Sequence, residues 1–167
     1  MKYTSAEAAK LLRSLNEEHE TLIMRENQSK SFVAALTEDI ESVRPEYDYA
    51  ATQSMLEENE RKIRIVKHAI NVFNTTHTVS GFDMTIDQLL VYIPQLSSRK
   101  MRLAQLAAVL PKSRERLSPQ SSVIDYRYAN YDVGTAGIDA KAASDLLAKA
   151  QTALDLINTT ETMEIDL

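Results

Sequence analysis

The chain has no cysteine and no tryptophan, and only three glycines and four prolines among its 167 residues. Without cysteine, disulfide scaffolds, thiolate zinc sites and cysteine nucleophiles are excluded. Three glycines argue against a glycine-rich phosphate loop, and so few turn residues argue against a barrel with many tight corners. No apolar run approaches the roughly 20 residues of a membrane span. The start, Met1-Lys-Tyr-Thr-Ser-Ala-Glu7, lacks the apolar stretch of a secretion signal. These absences lead to the expectation of a cytoplasmic protein with no membrane partner. The length suits a single domain over residues 1–167 that buries its own core.

What is present is charge, sorted along the chain. The net charge of −5 conceals −7 over residues 1–60, +7 over 61–117 and −5 over 118–167. A basic middle between acidic ends fits an anionic partner, or acidic and basic helices that complement each other within one bundle. The second explanation needs nothing beyond the chain itself.

Apolar periodicity then defines the elements. Thr4 and Glu7 have capping-box spacing, and Ala8, Leu11, Leu12, Leu15, His19, Leu22 and Ile23 follow a 3.6-residue period, which predicts a helix over about 4–27. Residues 28–47 alternate less clearly and read as strand or loop; Arg44-Pro45 ends any helix there. A second helix is predicted over 48–73, with Leu56, Ile63, Val66, Ile70 and Phe73 on one stripe and Asn59 as its one polar member. Ile65, Ala69 and Val72 widen that stripe, so two-sided burial is expected. Ser80-Gly81 marks a turn, and Thr85 with Gln88 forms a second capping box opening a helix over 85–110. Its stripe of Ile86, Leu89, Ile93, Leu96, Lys100, Leu103, Ala107 and Leu110 resembles a coiled-coil seam. Pro94 is expected to kink or divide it.

Residues 112–122 read as an exposed loop, 123–131 as a strand, 139–157 as a fourth helix and 161–167 as a last strand. Gly134 and Gly137 are taken to separate the strand from that helix. The segments Asn74-Thr-Thr76 and Asn158-Thr-Thr160 each close an apolar helix pattern, which suggests a left-handed asparagine cap followed by extended chain. The expected fold is mainly α: four long helices in an antiparallel bundle, with a small sheet of two to three short strands at one end. That sheet would hold both the 123–131 and the 161–167 strands.

The helix ending Ile70-Asn71-Val-Phe-Asn74-Thr75, the opening Thr85-Ile-Asp-Gln-Leu-Leu90, the strand near 124–131 and the ending Asn158-Thr-Thr-Glu161 together resemble the septicolysin-like family of uncharacterised bacterial proteins. The resemblance covers most of residues 50–167. It departs in a longer C-terminal tail and in lacking the family's tryptophan after the terminal asparagine. It implies a mostly helical bacterial protein without an established activity, and it transfers no catalytic residue. The pore-forming activity suggested by the family's label is not expected, because no long amphipathic hairpin pattern occurs.

Among candidate sites, His68, His77 and Asp83 lack metal-motif spacing; helix-end and loop histidines explain them. The carboxylates Glu17, Glu18, Glu20, Glu57, Glu58 and Glu60 lie off the apolar stripes and read as solvated faces. No catalytic, cofactor or metal residue is therefore assigned. The basic residues Arg61, Lys62, Arg64, Lys67, Arg99, Arg102, Arg114, Arg116 and Arg127 form the one group that could contact an anion or nucleic acid, with Lys100 and Lys112 nearby and Tyr126 and Tyr128 as stacking surfaces. The sequence points first to a non-enzymatic interaction or scaffold protein that forms homo-oligomers or holds a protein partner. Its second reading is a nucleic-acid-binding module acting through 61–67 and 99–116.

Overall fold

A computed structural model describes residues 1–115 and 124–167. Its elements, in order, are β1 (Lys2–Thr4), α1 (Ser5–Ser29), α2 (Ile40–Val43), α3 (Tyr49–Thr76), α4 (Ile86–Ala107), β2 (Lys112–Arg114), β3 (Tyr126–Tyr128), α5 (Val133–Thr160) and β4 (Thr162–Glu164). The five helices hold 67% of the described residues. Residues 116–123, which include Arg116 and the first residue of the expected 123–131 strand, lie outside the description.

The chain divides into two compact units, one of residues 1–74 with 158–167 and the other of residues 75–157. Both passages between them fall at the two Asn-Thr-Thr segments, and both lie inside helices. This corrects the expected left-handed caps. Thr76 and Thr160 are still helical, and no described residue other than glycine has a positive φ. The extended chain expected after each helix is present, at the Thr78–Thr85 bridge and at β4.

In the first unit, Thr4 and Glu7 form the anticipated capping box, with the Glu7 carboxylate accepting the Thr4 amide at 2.8 Å. Helices α1 and α3 run antiparallel: Glu26 on α1 accepts from Gln53 at 2.6 Å, while Glu18 accepts from Asn59 at 3.2 Å. Ala8, Leu15, Leu22, Leu56, Val66 and Phe73 are buried, and Asn59 is buried at the stripe position expected for it. The second side of α3 is only half-covered, and Val72 is exposed. Strands β1 and β4 pair antiparallel, with Tyr3 opposite Met163, and the pairing continues as the Ile165 amide donates to the Met1 carbonyl at 2.9 Å. Met163 and Ile165 are buried on the inner side; Leu167 is not.

In the second unit, the turn predicted at Ser80-Gly81 spans Val79 to Phe82, whose amide donates to the Val79 carbonyl at 3.1 Å. Gly81 takes φ 81°, the left-handed conformation a type II turn needs at its third position. The Thr85–Gln88 capping box then opens α4. Ile86, Leu89, Leu96 and Leu103, four of the eight positions of the predicted seam, are buried inside the chain itself. Pro94 does not divide the helix. It is exposed, so the lost hydrogen bond faces water, and buried Leu89 and Leu96 anchor the helix on either side. The seam ends sooner than expected, at Ala107, because Pro111 bars a longer helix and the chain tightens as the Val109 amide donates to the Leu106 carbonyl. Leu110 is consequently exposed.

Helix α5 starts at Val133, six residues ahead of the predicted 139. The Asp132 carboxylate accepts from the amides of Gly134 at 2.8 Å and Thr135 at 3.2 Å, satisfying the free donors of the first turn. A Cβ at Gly134 would stand 3.1 Å from that carboxylate oxygen, so glycine here serves the cap and does not break the helix. The two strands expected in one sheet belong to different two-stranded sheets: β3 pairs with β2 in this unit, and β4 pairs with β1 in the other. Each partner, β1 and β2, is only three residues long, too short for strand alternation to register in the sequence.

Candidate functional site

The basic residues named from the sequence fall into three groups. On α3, Arg61 donates twice to Glu58 at 2.8 Å, and the Lys62 ammonium lies 3.9 Å from the same carboxylate. The hydrogen bond from Arg61 holds the Glu58 carboxyl below its ordinary range, and the same contact raises Arg61. Arg64 and Lys67 are exposed on the same helix, in the first unit. On α4, in the second unit, Arg99 and Arg102 line an open hollow with Pro94, Gln95 and Ser98, and Lys100 is exposed. The 61–67 and 99–102 groups thus belong to different units.

The third group lies on the ribbon of β2 and β3. Pairing places Lys112 opposite Tyr128, Ser113 opposite Arg127 and Arg114 opposite Tyr126. Directly paired residues of an antiparallel ribbon share a face, and successive residues alternate. One face therefore carries Lys112, Arg114, Tyr126 and Tyr128, all exposed. The Lys112 ammonium lies 4.2 Å from the centre of the Tyr126 ring and 5.4 Å from that of Tyr128. The other face carries Ser113 and Arg127. Arg127 donates to both oxygens of Glu115, at 2.7 and 2.9 Å, which lowers the Glu115 pKa and raises that of Arg127. Arg127 is thus already matched to a carboxylate, whereas Arg114 shares its face with the tyrosines.

The ribbon is fixed at its base. The Tyr131 hydroxyl donates to the Leu106 carbonyl at 2.8 Å, one of the last carbonyls of α4, and the Ala129 amide donates to the Pro111 carbonyl at 3.1 Å.

His68 is exposed on α3; His77 is half-buried just past that helix, its ring 3.2 Å from the Thr76 hydroxyl. Asp83 is exposed. Among the described residues no three His, Asp or Glu side chains gather in a way that could hold a metal ion, and no helix is long and apolar enough to cross a membrane.

The most conspicuous apolar surface is on the connection between α1 and α3, residues 30–48. It exceeds the roughly 12–15 residues beyond which a connection with little structure of its own is uncommon and usually functional. Local bonds order it. The Ala35 amide donates to the Glu38 carboxylate at 2.8 Å, Asp39 caps α2 through the Glu41 amide at 3.2 Å, and the Arg44 guanidinium lies 5.5 Å from the Phe32 ring centre. Tyr47 closes the segment by donating to Glu26 at 3.1 Å. Yet Val33 is 94% exposed and Leu36 103%, with Phe32, Ile40 and Val43 also open to solvent.

No family model matches the chain, and no curated protein matches it. A crystal structure of a functionally unknown conserved protein from Corynebacterium diphtheriae is similar, with a TM-score of 0.59 at 17% identity over 98% of this chain and 100% of that one. The two chains share a fold. At that identity the likeness extends no further than the fold.

Two features of these surfaces escaped the sequence. Residues 28–47 read from the sequence as strand or loop, whereas the structure holds 31–43 in an ordered segment that exposes Phe32, Val33, Leu36, Ile40 and Val43. The Lys112–Arg114 strand lies within 112–122, which reads as exposed loop, because alternation cannot be recognised over three polar residues.

Proposed function

We propose that this chain is a helical interaction protein that self-associates through the segment between α1 and α3. The observation that carries this reading is an ordered connection that turns Val33, Leu36 and Ile40 toward solvent. Exposed apolar groups clustered on a fixed backbone mark interaction surfaces, because covering them removes apolar area from water at little further ordering cost. A second copy of the chain fits for a reason of charge. Residues 31–48 carry five carboxylates and one arginine, while Arg99, Lys100 and Arg102 form an exposed basic stretch on α4. Each chain therefore offers both an acidic apolar surface and a basic one. Contact between unlike surfaces of two copies is heterologous, and it builds rings or longer assemblies unless it closes.

The test is the mass in solution. Light scattering of the full chain at micromolar concentration should give a mass above one chain, and Val33→Asp with Leu36→Asp should return it to monomer with an unchanged helical circular dichroism spectrum. A monomer at all concentrations, or an oligomer indifferent to both substitutions, contradicts the proposal.

A further inference from the structure

We infer that the Lys112, Arg114, Tyr126 and Tyr128 face of the β2–β3 ribbon is a binding surface for single-stranded nucleic acid. The site is this face, rather than the arginines of α3. Four observations converge. The face carries two exposed aromatic rings and two cations, with every one of these side chains on the same side of a paired ribbon. The carboxylates of the ribbon, Glu115 and Asp125, pair across it through the Glu115 amide and the Asp125 carbonyl at 2.8 Å, so the alternation puts them on the Arg127 face. Among the described residues the tyrosine face has no acid to repel a phosphate, and Ile124, two residues before Tyr126, extends it with apolar surface. Finally, Tyr131 anchors the ribbon to the end of α4 and the Ala129 amide continues its pairing to the Pro111 carbonyl, so the rings are presented on a fixed base.

The spacing selects the form of the ligand. Tyr126 and Tyr128 are two residues apart on one strand, about 6.8 Å along it. That is twice the roughly 3.4 Å separating stacked bases of one strand in a duplex. Neighbouring bases can therefore cover both rings only when they are unstacked, as in a single strand whose bases splay onto aromatic side chains. The Lys112 ammonium now occupies the space over both rings. An exposed contact between a cation and a ring is weaker than base stacking, and the flexible lysine stem can carry its charge aside to a phosphate. The exchange keeps the cation useful, and Arg114, with its fork of donors, supplies a second phosphate contact.

The experiment is a fluorescence anisotropy titration of the full chain against a labelled oligothymidylate, repeated at several salt concentrations. The expected result is saturable binding that weakens linearly on a double-logarithmic plot, because phosphate contacts release counterions. Tyr126→Ala and Tyr128→Ala should each weaken binding by about tenfold or more, and Tyr→Phe at either position should retain it. Replacing Lys112 and Arg114 together by alanine should flatten the salt slope by about one to two. Arg127→Ala, on the opposite face, should leave affinity unchanged, and a duplex of the same length should bind more weakly. Absence of binding at low salt overturns the inference. So does affinity indifferent to both tyrosines, or preference for a glutamate-rich peptide or phosphatidylserine vesicles over the oligonucleotide.

Discussion

Asn59 on α3 donates from its amide nitrogen to the Glu18 carboxylate on α1 at 3.2 Å, while its own side-chain oxygen is buried without a partner. The pair sets the register of two antiparallel helices at a cost. A buried acceptor that gives up water and gains nothing destabilises the fold by about 1–3 kcal/mol, against roughly 1 kcal/mol from the bond that is made.

Asn59→Leu is therefore expected to raise stability by about 1 kcal/mol, since exposed Glu18 regains water when the amide is removed. Asn59→Asp should do the reverse. It places a second carboxylate against Glu18 in a buried position and should cost about 3 kcal/mol or more. Urea unfolding of the three proteins gives the order directly.

Where the α4 seam ends can be read from two leucines. Leu89 is fully buried and Leu110 is exposed, although the two occupy equivalent positions of the same sequence pattern. Leu89→Ala should cost about 2–5 kcal/mol and Leu110→Ala less than about 0.5 kcal/mol. Ile63, half-buried on α3, should fall below the Leu89 value. Equal losses at 89 and 110 in a thermal melt would place Leu110 in the core and contradict the fold.

The contrast shows what could be read from residues alone. Both capping boxes, the Ser80-Gly81 turn and the buried Asn59 depend on neighbours within four residues, so their signals are local. The pairing of β1 with β4 joins residues more than 150 positions apart, and no local pattern records it. Nor did the pattern predict that Gly134 and Gly137 would be helical. The deciding residue was Asp132, whose capping role outweighs the low helix propensity of glycine. Of the candidate site, the tyrosine alternation was visible, but the partner strand that adds Lys112 and Arg114 to its face was not.

Ile165 tests the long-range pairing. It lies two residues from the C-terminal Leu167 yet is buried, and its amide is bonded to Met1. Ile165→Ala should cost about 2–5 kcal/mol in chemical denaturation, the loss typical of a core isoleucine. A neutral result would mean that Ile165 does not belong to the core of the first unit.

Asp132 gives the acid response of α5. The Thr135 amide, then the Thr135 hydroxyl and the Gly134 amide, bond to its charged form and hold its carboxyl below the ordinary value of 3.8. Because the folded pKa is depressed, its stabilisation is fully present above the unfolded value and is lost as the pH falls through the folded one. Asp132→Ala should lower the thermal midpoint by a few degrees at pH 7. The difference from the unsubstituted chain should vanish when both are melted below the folded pKa. A difference that persists undiminished there would remove the cap from the account.

In the proposed assembly the ordered, apolar 31–43 segment joins one copy of this chain to another. Sedimentation velocity over a dilution series tests it most directly, with Leu36→Asp compared against Leu110→Asp, an exposed leucine three residues past the end of α4. The unsubstituted chain and Leu110→Asp should sediment as a concentration-dependent oligomer, while Leu36→Asp should sediment as a monomer. A single monomer boundary for all three, or an oligomer that survives Leu36→Asp, would contradict it.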